Sequence, residues 1–185
     1  MRTIRRGGFT MIEVVVMLSV ITALSVVVLF SFTGLNEGVA LNRSSRELAL
    51  AIRKTQNMSL AIRRVQTPAG PVIPSAVGIQ LSTLNAKKFL IFADLARDNR
   101  YNPADDVMIE EGTFERTIFI RSLLNQAGTP QTIVNIVFQA PEATVVIADR
   151  DGSSIGDMLT IELTPTLGGS SKQISVRTSG QVSIK

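Results

Sequence analysis

The feature that most constrains this chain is an uncharged run from Val14 to Asn36, 23 residues long. A helix needs about 20 apolar residues to cross the hydrocarbon core of a bilayer, so the run is long enough to span one. Backbone groups in lipid must satisfy their own hydrogen bonds, which requires a helix there. The many valines, stiff at χ1, would favour a strand in water. The run also differs from a cleaved secretory signal, whose apolar core is about 7–15 residues long and is followed by a small-residue site. No Ala-x-Ala follows here. The small pair Gly7-Gly8 instead precedes the run, and Glu13 stands at its start. Cleavage at the glycines would remove a basic peptide and leave the helix on the product.

The stretch Arg5-Arg6-Gly7-Gly8-Phe9-Thr10-Met11-Ile12-Glu13 resembles the prepilin-type (class III) signal of type IV pilins and type II secretion pseudopilins. The resemblance implies cleavage after Gly8 by a membrane prepilin peptidase and N-methylation of Phe9. It also implies a role in fibre assembly for Glu13, the fifth residue of the product. Physical chemistry is compatible with that role. A carboxylate at the edge of a span is costly unless paired or neutralised, and the free amine of a neighbouring subunit's Phe9 is a suitable partner. A second reading of Glu13 is local, because acidic side chains are favoured near a helix N-terminus.

Composition removes several classes of function. With no cysteine and no histidine, the chain has no disulfides, no Cys-His or Ser-His-Asp nucleophile and no histidine-ligated metal. With no tryptophan and one tyrosine, it is poorly equipped to stack on nucleic-acid bases. The net charge of +4 is concentrated at the N-terminus. Of 19 basic residues, Arg2, Arg5 and Arg6 lie in the first eight positions, and the remaining 16 nearly balance 15 carboxylates. Those arginines orient the span with its N-terminus cytoplasmic and everything after it outside.

Past the span, Gly34 and Gly38 are positions where a helix loosens or kinks. Leu41, Leu48, Ala51, Ile52, Thr55, Met58, Ile62 and Val65 then recur at helical spacing. The expectation is an amphipathic helix continuing to about Gln66, its stripe packed on the rest of the chain. Its basic side (Arg43, Arg46, Arg53, Lys54, Arg63, Arg64) is expected to face water, although basic amphipathic helices also lie on membrane surfaces. Thr67-Pro68-Ala69-Gly70-Pro71 stops it.

Beyond the stop the period switches to two. Strands are expected at Val77–Leu81, Lys88–Ala93, Val107–Glu111, Glu115–Arg121, Ile133–Gln139, Thr144–Ala148, Leu159–Leu163, Gln173–Arg177 and Gln181–Ile184, with Ser179-Gly180 as a tight turn. The resulting class is α+β: a long N-terminal helix packed on an antiparallel sheet or sandwich. The divisions are 1–8 (leader), 9–66 (helix, with the span at about 14–35) and 67–185 (β-rich head).

Lys88-Phe89-Leu90-Ile91-Phe92-Ala93-Asp94, the loop Arg97-Asp98-Asn99-Arg100-Tyr101-Asn102-Pro103-Ala104-Asp105-Asp106 and the closing Ile174–Val182 hairpin resemble GspH/FimT-type minor pseudopilins. This resemblance implies a pilin-like fold and a single-pass inner-membrane protein with its head outside. Such a subunit moves into a pilus or pseudopilus fibre, which it helps to start or cap. Its partners would be the peptidase, other minor and major subunits, the membrane and secreted cargo.

Asp94, Asp98, Asn102, Asp105 and Asp106 gather oxygen donors of the kind calcium takes, without EF-hand spacing. Asp149-Arg150-Asp151-Gly152 is a second such fragment. Turn chemistry is the simpler account of both, because Asp and Asn bond nearby backbone. No other cofactor is indicated. DNA-binding members of the FimT type carry a Gly-Arg-x-Arg element. The matching positions here read Gly180-Gln181-Val182-Ser183, with Lys172, Arg177 and Lys185 as scattered cations, so nucleic acid is not the expected ligand. The adjacent pairs Asp105-Asp106 and Glu110-Glu111 point to opposite sides of an extended chain and make no acid/base couple, so no enzyme is expected. The alternatives to a fibre subunit are a DNA- or ligand-capturing minor pilin and an uncleaved membrane-anchored β domain.

Overall fold

The computed structural model describes residues 8–61, 64–67, 70–141 and 144–185, with side chains left out at 29–35. Arg2, Arg5, Arg6 and Gly7 of the leader, Ile62 and Arg63 of the helical pattern, and Pro68-Ala69 of the stop lie outside the described residues. Helix α1 spans Met11–Leu60. Two compact units make up the chain, Met1–Glu37 and Gly38–Lys185, so their boundary falls within α1 rather than at its end.

In the first unit, Met11–Val28 has a mean hydropathy of 2.5, and none of it is buried against the rest of the protein. It is long and apolar enough to cross a membrane. Its hydroxyls are satisfied within the helix: Ser19 donates to the Val16 carbonyl (2.8 Å), Thr22 to Leu18 (2.7 Å) and Ser25 to Ile21 (2.8 Å). These residues therefore carry no unmet donor into an apolar surrounding.

The second unit contains the C-terminal part of α1 and antiparallel strands throughout. The strands are β1 (Val65–Thr67), β2 (Gly70–Val72), β3 (Ala76–Ser82), β4 (Lys88–Asp94), β5 (Val107–Thr113) and β6 (Ile118–Asn125). They continue with β7 (Pro130–Gln131), β8 (Ile133–Gln139), β9 (Thr144–Ala148), β10 (Met158–Pro165), β11 (Lys172–Arg177) and β12 (Val182–Ile184). β1 and β2 form a small hairpin. One five-stranded sheet runs β12-β11-β10-β6-β7, and the other β5-β4-β3-β8-β9. The architecture is α+β, as the change of period indicated.

One continuous core joins both sheets to the helix. Leu41, Leu48, Ala51 and Ile52 of α1 pack with Ile79, Ile91, Ile136 and Phe138 of one sheet and with Ile118, Ile120, Ile161 and Ile174 of the other. Buried serines lie beside the expected stripe. Ser59 donates to the Phe138 carbonyl (2.7 Å), and the Ser44 hydroxyl accepts the Glu115 N–H (3.3 Å). Arg43 pairs with Glu115 at 3.1 Å, and Lys54 pairs with Glu110.

Two expectations need correction, and one edge strand was not expected. The helix ends at Leu60, not near Gln66, and Val65–Thr67 is a strand. Val65 pairs with Val72 across a turn that Gly70, at φ 120°, makes accessible, and the Thr67 hydroxyl closes it on the Gly70 carbonyl (2.7 Å). Glu115–Thr117 belongs to a connection rather than to β6. The Ser44 bond holds it back, and Ile118 turns in by donating to the Glu115 carbonyl (2.8 Å). Finally, Pro130–Gln131 pairs with Leu123–Leu124 as an edge strand, where a missing N–H is tolerated.

Ile52 is fully buried, whereas Leu50 is 66% exposed. Ile52→Ala is expected to destabilise this unit by about 2–5 kcal/mol through the lost contacts and the cavity. Leu50→Ala is expected to change it by less than about 0.5 kcal/mol. Urea denaturation of the full-length protein in detergent, followed by circular dichroism, checks both.

Candidate functional site

Two sets of residues carry candidate chemistry. The first is the N-terminal stretch. Gly8, Phe9 and Glu13 are all exposed, Phe9 at 74%. Thr10 caps α1: its hydroxyl accepts the Glu13 N–H (3.3 Å), and its carbonyl accepts the N–H groups of Glu13 (3.1 Å) and Val14 (3.3 Å). Glu13 thus occupies the third helical position, in a Thr-x-x-Glu capping pattern. It stands in the first turn, where the helix dipole favours negative charge. The sequence reading overlooked Thr10, although the capping spacing is visible in it.

The second set is the loop between β4 and β5. Asp94, Asp98 and Asp106 each bring a carboxylate oxygen within 4.8 Å of the others. Asp94 closes β4 and is 1% exposed. It accepts the N–H of Arg97 (2.6 Å) on one oxygen and of Asn99 (3.1 Å) on the other. Asp106 accepts Leu95 N–H (2.9 Å) and Ala96 N–H (3.4 Å) on one oxygen and Asn102 N–H (2.9 Å) on the other. Asp98 binds the Arg100 guanidinium at 2.6 Å. Asn102 and Asp105 turn to each other, Nδ2 donating to Oδ2 at 2.6 Å. Three of the five candidate donors therefore converge and two pair apart. The convergent oxygens act as acceptors that wind the loop back on itself, with Arg97 (φ 62°) and Asn99 (φ 59°) in left-handed conformation.

The second acidic fragment meets the first. Gly152, at φ 85°, lies so close to the loop that a Cβ there would stand 2.1 Å from the Asp98 carbonyl oxygen. Asp149 organises its own turn by accepting the N–H groups of Asp151 and Ser153, both at 2.9 Å. Burial pushes the Asp94 carboxyl above its ordinary range. The Arg97 and Asn99 amides oppose that shift, and the neighbouring charges of Asp106 and Asp98 reinforce it.

The remaining candidates stay apart. Lys172 opens β11 and Arg177 closes it, about 17 Å away at strand rise. Glu110 pairs with Lys54, while Glu111 pairs with Lys88 at 2.5 Å. Comparison with protein-family models, with curated proteins and with solved structures finds no match to this chain.

Because the Asp94 pKa is raised on folding, its contribution to stability is full below the ordinary carboxylate range. That contribution is lost as pH rises through the raised value, where a buried charge forms. Asp94→Asn should remove this component. Between about pH 4 and pH 7 its urea midpoint is expected to lose less with rising pH than that of the unsubstituted chain. Denaturation at a series of pH values measures the difference.

Proposed function

We propose that the chain is a minor pilin or pseudopilin subunit of the GspH/FimT type. It would belong to a type II secretion pseudopilus or a type IV pilus, and assemble through its N-terminal helix to initiate or cap the fibre. One observation carries the reading: the stretch Gly8-Phe9-Thr10-Met11-Ile12-Glu13 opens a helix whose first 18 residues, Glu13 aside, carry no charge, have a mean hydropathy of 2.5 and are wholly unburied by the protein itself. A surface of that kind needs lipid or other apolar helices around it. The β-rich unit supports the reading through its α+β architecture. In this proposal Gly8-Phe9 is the cleavage site and Phe9 the methylated N-terminus. Glu13 pairs with the Phe9 amine of a neighbour, and the β-rich unit lies on the extracytoplasmic side and contacts other minor subunits.

Mass spectrometry of the N-terminal peptide, from protein purified from its native membranes, tests this. A peptide beginning at methylated Phe9 is expected. A peptide beginning at Met1, in cells with an active prepilin peptidase, would overturn it. Glu13→Ala is expected to leave cleavage intact and to abolish recovery of the subunit in sheared fibres.

A further inference from the structure

We infer that one end of the β-rich unit is a lipid-docking surface for an anionic bilayer. Three loops meet there around the start of the helical stripe. The Thr83–Lys87 and Phe114–Thr117 loops are joined by Phe114 N–H to the Lys87 carbonyl (2.9 Å) and by Lys87 Nζ to the Arg116 carbonyl (3.2 Å), and Ile120 of β6 donates its N–H to the Ala86 carbonyl (2.8 Å). Thr166, which begins the third loop, donates its N–H to the Thr117 carbonyl at 2.7 Å. Glu115 in turn binds Ser44 and Arg43 of α1. The chain thus enters this unit at the end that the three loops form.

Charge and exposure at this end are those of a membrane-facing surface. Leu84 and Leu167, at the loop tips, are 74% and 81% exposed. Lys87 and Arg116 belong to these loops, Arg43 is tied to them through Glu115, and Lys172 follows the third loop in the chain. The only acidic side chain in the three loops, Glu115, is paired with Arg43. Lys87 and Arg116 enter no ion pair among the described residues. The opposite end is acidic. β4 begins at Lys88 and closes at Asp94, so the aspartate loop lies about 20 Å away at strand rise. A unit with this polarity is drawn to an anionic surface by one end only.

Connectivity selects lipid as the occupant. From Leu35, at the close of the uncharged run, to Ala40, buried in the unit's core, is five residues. Even fully extended, that segment covers at most about 18 Å. An inserted span therefore keeps the basic end close to the headgroups, at a high effective concentration. The inference rests on α1 being inserted, not on fibre assembly.

The chain has no cysteine, so a single one can be labelled uniquely. Full-length protein carrying Leu84→Cys, Leu167→Cys or the exposed acidic-loop control Ala104→Cys is labelled with an environment-sensitive fluorophore. It is then placed in phosphatidylcholine vesicles with or without phosphatidylglycerol. With phosphatidylglycerol, blue-shifted emission and quenching by spin-labelled lipid are expected at 84 and 167 but not at 104. Lys87→Gln and Arg116→Gln should each lower the ratio of docked to undocked unit about fivefold. Water-like emission at 84 and 167 in protein that resists carbonate extraction would overturn the docking alone. So would immersion that ignores phosphatidylglycerol or needs an added protein partner. Protein stripped by carbonate would overturn the inserted helix and the docking with it.

Discussion

Burial of Leu41, Leu48 and Ile52 between the helix and the strands is the contact on which the β-rich unit depends, because the inward residues of two separate sheets meet the same stripe. Each such side chain contributes about 1.5–3 kcal/mol when fully removed from water. The polar contacts follow the same line along the helix. Ser44 binds the connection into β6, Lys54 pairs with β5, and Ser59 binds the backbone of β8. Hydroxyls inside a core are tolerated only when bonded, and both serines are. This explains why the division into units falls at Glu37 and not at the end of α1: the second half of the helix is a structural layer of the strand-rich core.

The aspartate loop does comparable work on the other side of its sheet. Phe92, Val137 and Ala76 point away from the main core, yet all are buried, covered by Tyr101 from the loop. The Tyr101 and Phe92 ring centroids lie 5.4 Å apart. Asp94 and Asp106 keep the loop in place by accepting backbone N–H groups that would otherwise compete for water. Their convergence is thus accounted for by construction of the loop, and the cost of burying a carboxylate there, with two other carboxylates nearby, appears as the raised Asp94 pKa.

Much of this was readable in the residues. Ile133–Gln139 and Thr144–Ala148 are strands with the expected bounds, since β-branched residues flanked by turn formers leave little choice. Ser179-Gly180 turns as its composition suggests, with Gly180 at φ 80°. The failures have a common cause. Val65 fits the helical period, but its partner Val72 lies seven residues on, and a pairing of that kind is invisible to a local pattern. Glu115 reads as strand, and a serine 71 residues away holds it in a turn. Which of the five acidic-loop donors converge was equally illegible, because Asn102 chose Asp105 through local geometry.

By itself, the sequence determined that the first part of the chain is an apolar helix, since the length without charge and the demand for internal hydrogen bonds admit no other element. It also determined the strand-rich remainder, through a hydrophobic period of two. Tertiary structure alone decided which strands share a sheet and where the helix stops. It also joined three loops, distant in the chain, one of them bonded to Ser44, to leave one end of the unit basic and the other acidic. Periodicity reports which face a residue takes. Neighbours distant in sequence are set by the packing that buries those faces together, and no single stretch of residues contains that information.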